Sequence, residues 1–132
     1  MINFAPKRGQ ILICNFDMAT VPPEMRKVRR VVVVSPRSYN SPHFTASGKC
    51  VVVPLTASEP REPRASHVSF NEETYLSLKV RTWAICEMLA HVSHRRLDRV
   101  RVSGQYLSEG MTDADILRVE TGLRHALGFS ED

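Results

Sequence analysis

Residues 28–35 read VRRVVVVS, and the fold turns on them. Val28 to Ser35 is β-branched almost throughout, with charge before it and Pro36 after it, so the run predicts a central strand. Its near-continuous valines predict burial on both faces. Four cations, Arg26, Lys27, Arg29 and Arg30, abut the valines. Such a cluster either grips an anionic ligand or guards a strand that would otherwise aggregate.

Working outward, a turn at Pro6 to Gly9 leads into a first strand over Gln10 to Phe16, closed by the polar loop Asp17 to Glu24. Pro36 to Gly48 reads as a loop. Lys49 to Thr56, KCVVVPLT, reads as a third strand whose Pro54 belongs at a sheet edge or bulge, because proline donates no ladder bond. Residues 57–66, rich in proline and paired charges, read as a mobile loop. HVSF, residues 67–70, is a short strand; residues 71–81 are either a helical turn or a loop. Thr82 to Ser93 is either one bent strand or two short ones. Near the end, Thr112 is a candidate N-cap, Asp113 and Asp115 suit the first turn, and Gly128 follows the last. Ile116, Val119, Leu123 and Leu127 form the apolar stripe of that helix. Five or six short strands followed by one amphipathic helix predict a mainly β fold, a small curled sheet or barrel covered by the helix. One domain over 1–132 is expected, with the barrel over about 6–105 and the helix over about 112–127.

The chain has 42% hydrophobic and 24% charged residues, the balance of a globular protein. Charge is split: residues 1–105 hold 16 Lys+Arg and 8 Asp+Glu, whereas residues 106–132 hold 2 and 6. A basic body with an acidic end suits either a nucleic-acid binder or an ordinary solvated surface. Cys14, Cys50 and Cys86 lack the spacing of a zinc site or disulfide framework and read as core thiols in a reducing compartment. No aliphatic run approaches the roughly 20 residues of a membrane span, so a cytoplasmic protein is expected.

P-loop, GxGxxG, GxSxG and HExxH patterns are absent from the sequence. His91 and His94 do not share a face and have no third ligand beside them, so neither metal nor cofactor is expected. The remaining chemistry-bearing residues lie at strand ends and in loops: Glu24, Arg29, Thr56, Glu87 and His91. Metal-free RNA cleavage needs a group to take the 2′-OH proton, a cation at the phosphate and a donor for the leaving oxygen. Arg29, Thr56 and a carboxylate could divide those roles. Glu24 and Arg29 would otherwise be a surface ion pair, and Thr56 a strand-end hydroxyl.

The segments PKRGQILICNFD (6–17), EMRKVRRVVVVSPRSYN (24–40), VVVPLTAS (51–58) and AICEMLAHVSHRRLDRV (84–100) together resemble the PemK/MazF family of toxins from bacterial toxin–antitoxin pairs. The resemblance implies an SH3-like barrel, a homodimer, metal-independent cleavage of single-stranded RNA leaving a cyclic phosphate, and a cognate antitoxin. It implies Arg29 and Thr56 as catalytic, with Glu24 of the adjoining substrate loop expected to join them. Glu87 and His91 are expected at the RNA, and Arg26 and Lys27 are expected to form an electrostatic approach surface for RNA or to act as gatekeepers. The chain departs from the family pattern at Arg30, where proline is usual, and at Ile85, Glu87, Met88 and Ala90. Strand alternation sends Arg29 and Arg30 to opposite faces, so Arg30 is expected to face solvent or a dimer partner. Tyr39, Phe44 and Trp83 are candidates for base stacking, and the basic run Arg95 to Arg101 is expected to be a solvated helical turn. The same barrel resembles CcdB-type toxins, which block DNA gyrase without cutting RNA. A gyrase inhibitor or a silent RNA-binding relative is therefore the alternative.

Overall fold

The computed structural model of the chain describes residues 2–16, 27–40 and 48–129. Ile11–Asn15 (β1) and Val28–Val33 (β2) pair antiparallel, with Ile11 opposite Val32 and Cys14 opposite Arg29. A short helical turn, Arg37–Asn40 (α1), interrupts the expected 36–48 loop. Lys49–Thr56 (β3) pairs with β2 through Val31↔Pro54, Val32↔Val53 and Val33↔Val52. His67–Phe70 (β4) and Thr82–Ile85 (β5) pair with each other, and β5 also pairs with the end of β3. A 3-10 turn, Cys86–Met88, separates β5 from Ala90–Ser93 (β6), so Thr82 to Ser93 is two short strands. Leu97–Arg99 (β7) follows a second 3-10 turn and closes on β1. Arg101–Val102 (β8) and Gln105–Tyr106 (β9) form a hairpin before the helix Asp113–Leu127 (α2). The main sheet runs β4-β5-β3-β2-β1-β7, with β6 on β3, an open, antiparallel arrangement that carries the expected mainly β character with a C-terminal helix.

Both faces of the sheet are covered, which is why β2 has no polar alternation. Val31 and Val33 join Leu12, Cys14, Cys50, Val52, Val92 and Leu97 on one side. Val32 joins Ile11, Val53 and Leu55 on the other, under Ile116, Val119 and Leu123 of α2. Each of the three valines is at most 1% exposed, worth about 2 kcal/mol apiece in transfer terms. The three cysteines are fully buried and free, and burial pushes each thiol up to about 12.

Helix α2 begins and ends as its sequence requires. Thr112 Oγ1 accepts from Asp115 N (3.2 Å), and Gly128 takes a left-handed φ of 75°. Tyr75 ties the helix start to the 71–81 segment, its hydroxyl donating to Asp115 (2.6 Å) and accepting from Thr112 N (2.9 Å). Gly9, with φ of 92°, receives the helix from below: a Cβ there would lie 2.6 Å from Ile116 Cδ1. The same glycine donates to Val33 O and accepts from Met111 N, while Arg8 Nε donates to Val34 O (2.7 Å).

Three expectations change, and one left open is decided. Pro54 lies inside the sheet and not at an edge. Val34 N donates to Val51 O (2.9 Å), so Val51, Val53 and Leu55 direct their backbone groups toward β2. Pro54 therefore points its ring nitrogen at the other edge, where pairing with β6 has stopped at Val52 and pairing with β5 starts at Leu55. Leu127 is 50% exposed, and Ala126 packs on the core instead. Arg95 to Arg101 is not a helical turn alone; after His94–Arg96 it becomes β7 and β8. Residues 71–81 are turns, with Leu78 N donating to Tyr75 O (3.1 Å).

Gly122 marks the closest approach of α2 to the sheet, since a Cβ there would lie 2.8 Å from Cys86 Sγ and 3.0 Å from Val68 Cγ2. Gly122→Ala gains about 1 kcal/mol of helix propensity but overpacks this contact, at a cost of about 1–3 kcal/mol. A lower urea midpoint for the alanine variant is expected; a higher one would show that the contact relaxes freely.

Candidate functional site

Arg29 is the second residue of β2, and Thr56 the last of β3. The β2–β3 pairing stops at Val31↔Pro54, so Arg29 and Thr56 each lie two residues beyond it, at the same end of the two strands. Thr56 is opposite Trp83, and Trp83 is opposite Ser69. Directly opposed residues share a sheet face, with Cβ atoms about 5 Å apart. Thr56, Trp83 and Ser69 thus form one row across β3, β5 and β4, and these three and Arg29 are half-buried. At roughly 4.8 Å per strand, the row spans about 10 Å.

The β2–β3 ladder ends at Val31↔Pro54, and beyond it a cleft of ≈ 190 Å³ opens. Arg29, Arg30 and Lys79 line it together with Leu55, Ala57 and Thr82, and no carboxylate stands among its described lining residues. Arg30, expected to face solvent or a dimer partner, lines this cleft. It is half-buried, and its buried Nε has no hydrogen-bond partner among the described residues. Both arginines remain paired with β1, as Ile13↔Arg30 and Cys14↔Arg29, while their β3 side is open to the gap. A concave surface lined by one sign of charge, with low-dielectric walls, concentrates counter-charge. The described lining of the cleft carries three cations, Arg29, Arg30 and Lys79.

Thr56 Oγ1 accepts from Ser58 N (3.1 Å), which leaves its hydroxyl hydrogen to be donated elsewhere. Arg81 lies over the Trp83 ring, 5.6 Å from its centroid. The segment that carries Lys79 and Arg81 is anchored by Glu109, which accepts from Leu76 N (2.9 Å), Ser77 N (2.8 Å) and Ser77 Oγ (2.6 Å). Lys79, Arg81 and Glu109 escaped the sequence reading, and no local pattern marks them.

The other expected residues are distributed unevenly. Glu24, Arg26 and Phe44 lie outside the described residues. Lys27 is exposed at the entrance of β2 with a φ of 72°, and its carbonyl accepts from Phe16 N (2.9 Å). His91 is opposite Val51, which alternation places on the face away from Thr56, and its Nε2 lies 2.9 Å from the Tyr39 hydroxyl. His91 and Tyr39 are thus a pair outside the row of Thr56, Trp83 and Ser69. Arg99 and Arg101, from the basic run, both lie over Tyr106, at 4.7 and 5.5 Å. Glu87 sits in the first 3-10 turn, where its two oxygens accept from Ser66 Oγ (2.7 Å) and His67 Nε2 (2.8 Å). Burial pushes its carboxyl up, but the bonds from His67 and Ser66 outweigh this and hold it below the usual glutamate range.

Residues 7–127 match the family model described as the PemK-like, MazF-like toxin of type II toxin–antitoxin systems. The YifN protein of Escherichia coli (strain K12) is 31% identical over 130 residues, covering 82% of each chain. The fold is also that of MazF from Deinococcus radiodurans, with a TM-score of 0.69 and 21% identity over 96% of this chain and 99% of that one. A mycobacterial endoribonuclease solved with its cognate antitoxin superposes with a TM-score of 0.67 at 23% identity, over 97% of this chain and all (100%) of that one. The chain belongs to the PemK/MazF family of toxin–antitoxin toxins. These matches do not favour a CcdB-like gyrase inhibitor.

The bonds to Glu87 carry a pH signature. Because its carboxyl is held low in the fold, its contribution is present above the ordinary value of 4.5 and is lost as pH falls through the folded value. Its side chain is 37% exposed, so solvent screening keeps the effect small. In urea melts, the midpoint difference between wild type and Glu87→Gln is expected to be largest above about pH 5 and to narrow as pH falls. A difference that widens on acidification would contradict this assignment.

Proposed function

We propose that the chain is a metal-independent endoribonuclease that cuts single-stranded RNA at the cationic cleft beside Thr56. The observation that carries this reading is the cleft lined by Arg29, Arg30 and Lys79 where the β2–β3 ladder ends, next to the end of β3 that carries Thr56. Family membership supports it. In the proposed reaction the ribose 2′-oxygen attacks the adjacent phosphorus, forming the 2′,3′-cyclic phosphate and breaking the bond to the 5′-oxygen. The 2′-OH proton passes to a carboxylate, assigned to Glu24, and solvent water gives a proton to the departing 5′-oxygen. Arg29 offsets the charge that builds on the non-bridging oxygens. Thr56, with one lone pair occupied by Ser58 N–H, donates its hydrogen to the reacting phosphate.

The row beyond Thr56 suits an unpaired strand. Trp83, half-buried and backed by Arg81, offers a face for base stacking, a contact that needs splayed bases. Arg26 and Lys27 are assigned to the approaching RNA backbone. A homodimer acting in the cytoplasm, restrained by a cognate antitoxin that covers the cationic cleft, completes the proposal. Light scattering on the purified chain tests the dimer, and a monomer at all concentrations would remove that part.

Incubation with a long single-stranded RNA in EDTA tests the chemistry. Wild type is expected to cleave and leave cyclic-phosphate ends. Arg29→Ala is expected to lower kcat by about 10²–10³-fold with little change in KM, as loss of a transition-state contact does. Thr56→Val keeps the volume and β-branching and is expected to lose about 10²-fold. Intact RNA with wild type, or equal cleavage by Arg29→Ala, would overturn the mechanism.

A further inference from the structure

Ser66, His67 and Glu87 have the residue types of a nucleophile triad but not its wiring. Both Ser66 Oγ and His67 Nε2 give their hydrogen to the carboxylate, one to each oxygen, at 2.7 and 2.8 Å. A nucleophile would need its hydrogen on the imidazole. Arg64 N donates to His67 Nδ1 (3.3 Å), which makes Nδ1 the acceptor and Nε2 the bearer of the hydrogen that Glu87 receives. Cys86 N adds a backbone bond to Ser66 O (3.1 Å). All these bonds tie the last residues of the 57–66 loop and the start of β4 to one another and to the 3-10 turn that carries Glu87.

The first residues of the same loop do something different. Ser58 N donates to Thr56 Oγ1 and so orients the hydroxyl. Between the two ends lie Pro60 and Pro63, each with φ fixed near −65°, which stiffens the connection. Gly122 of α2 backs the clasp, its Cβ position lying 2.8 Å from Cys86 Sγ and 3.4 Å from Ser66 O.

We propose that Glu87 is a positioning residue: by clasping Ser66 and His67 it holds the 57–66 loop so that Ser58 aims the Thr56 hydroxyl beside Arg29. The inference rests on the nuclease reading above and replaces the expected contact between Glu87 and RNA. A carboxylate already accepting two short bonds has no task at a polyanion, whereas it suits a loop that must keep its place.

Amide hydrogen exchange and steady-state cleavage, on the full chain, test it together. In Glu87→Ala the Ser58 and Arg64 amides are expected to exchange about 10-fold faster, with kcat down by about 10-fold and KM within about twofold. Glu87→Gln, whose amide oxygen still accepts one of the two donors, is expected to recover part of both effects. Should Glu87→Ala fail to fold, Ser66→Ala and Glu87→Gln carry the same comparison. Unchanged exchange at Ser58 and Arg64 would overturn the clasp. A raised KM at unchanged kcat would put Glu87 on the RNA itself and overturn the positioning role. Wild-type protein that cleaves no RNA would remove the nuclease reading alone, and the exchange comparison would still decide whether Glu87 holds the loop.

Discussion

The structure depends on a backbone constraint inside β3: its second edge serves two partners, and a proline stands at the changeover. β6 takes Lys49 to Val52, and β5 takes Leu55 and Thr56. Pro54 has no N–H to leave unsatisfied where neither strand pairs. The chain between β5 and β6 turns through Cys86–Met88 at that point, which lifts Glu87 toward Ser66 and His67. The same changeover lets the end of β3 reach Trp83 on one side, while the β2 ladder ends on the other and opens the cleft. Scaffold and candidate site are thus consequences of one discontinuity.

Arg29 and Arg30 show how a strand end escapes the alternation rule. Inside the ladder, neighbouring side chains face different cores, as Val31 and Val32 do. β2 stays paired with β1 at Arg29 and Arg30, but its β3 side is open there, and both arginines line one gap. The residue that stands where the family usually has proline therefore adds a cation to the cleft. That departure from the family pattern is a gain of local positive charge.

Features encoded by near neighbours were legible in the sequence. Val28 to Ser35 and Lys49 to Thr56 announced strands through β-branching, and Thr112 and Gly128 announced the ends of α2. What escaped depends on distant partners. Lys79 and Arg81 reach the site only because Glu109, some thirty residues later, binds Leu76 and Ser77. Strands β7, β8 and β9 have two or three residues each, too few for a period-2 pattern to stand out among arginines. Glu87 was visible as a family position, yet its bonds to Ser66 and His67 cross 21 and 20 residues and needed the fold to appear.

The buried cysteines have a further consequence. Thiols pushed up to about 12 stay un-ionised at neutral pH, and the thiolate is the reactive form. Cys14 and Cys50 sit in the core on one side of the sheet and Cys86 in the core beneath α2. Fully buried and un-ionised, the three thiols are shielded from thiol reagents in the folded chain, and each becomes accessible when its own half of the core opens. The protein carries three internal reporters, divided between two layers, that would record which side of the sheet comes apart first.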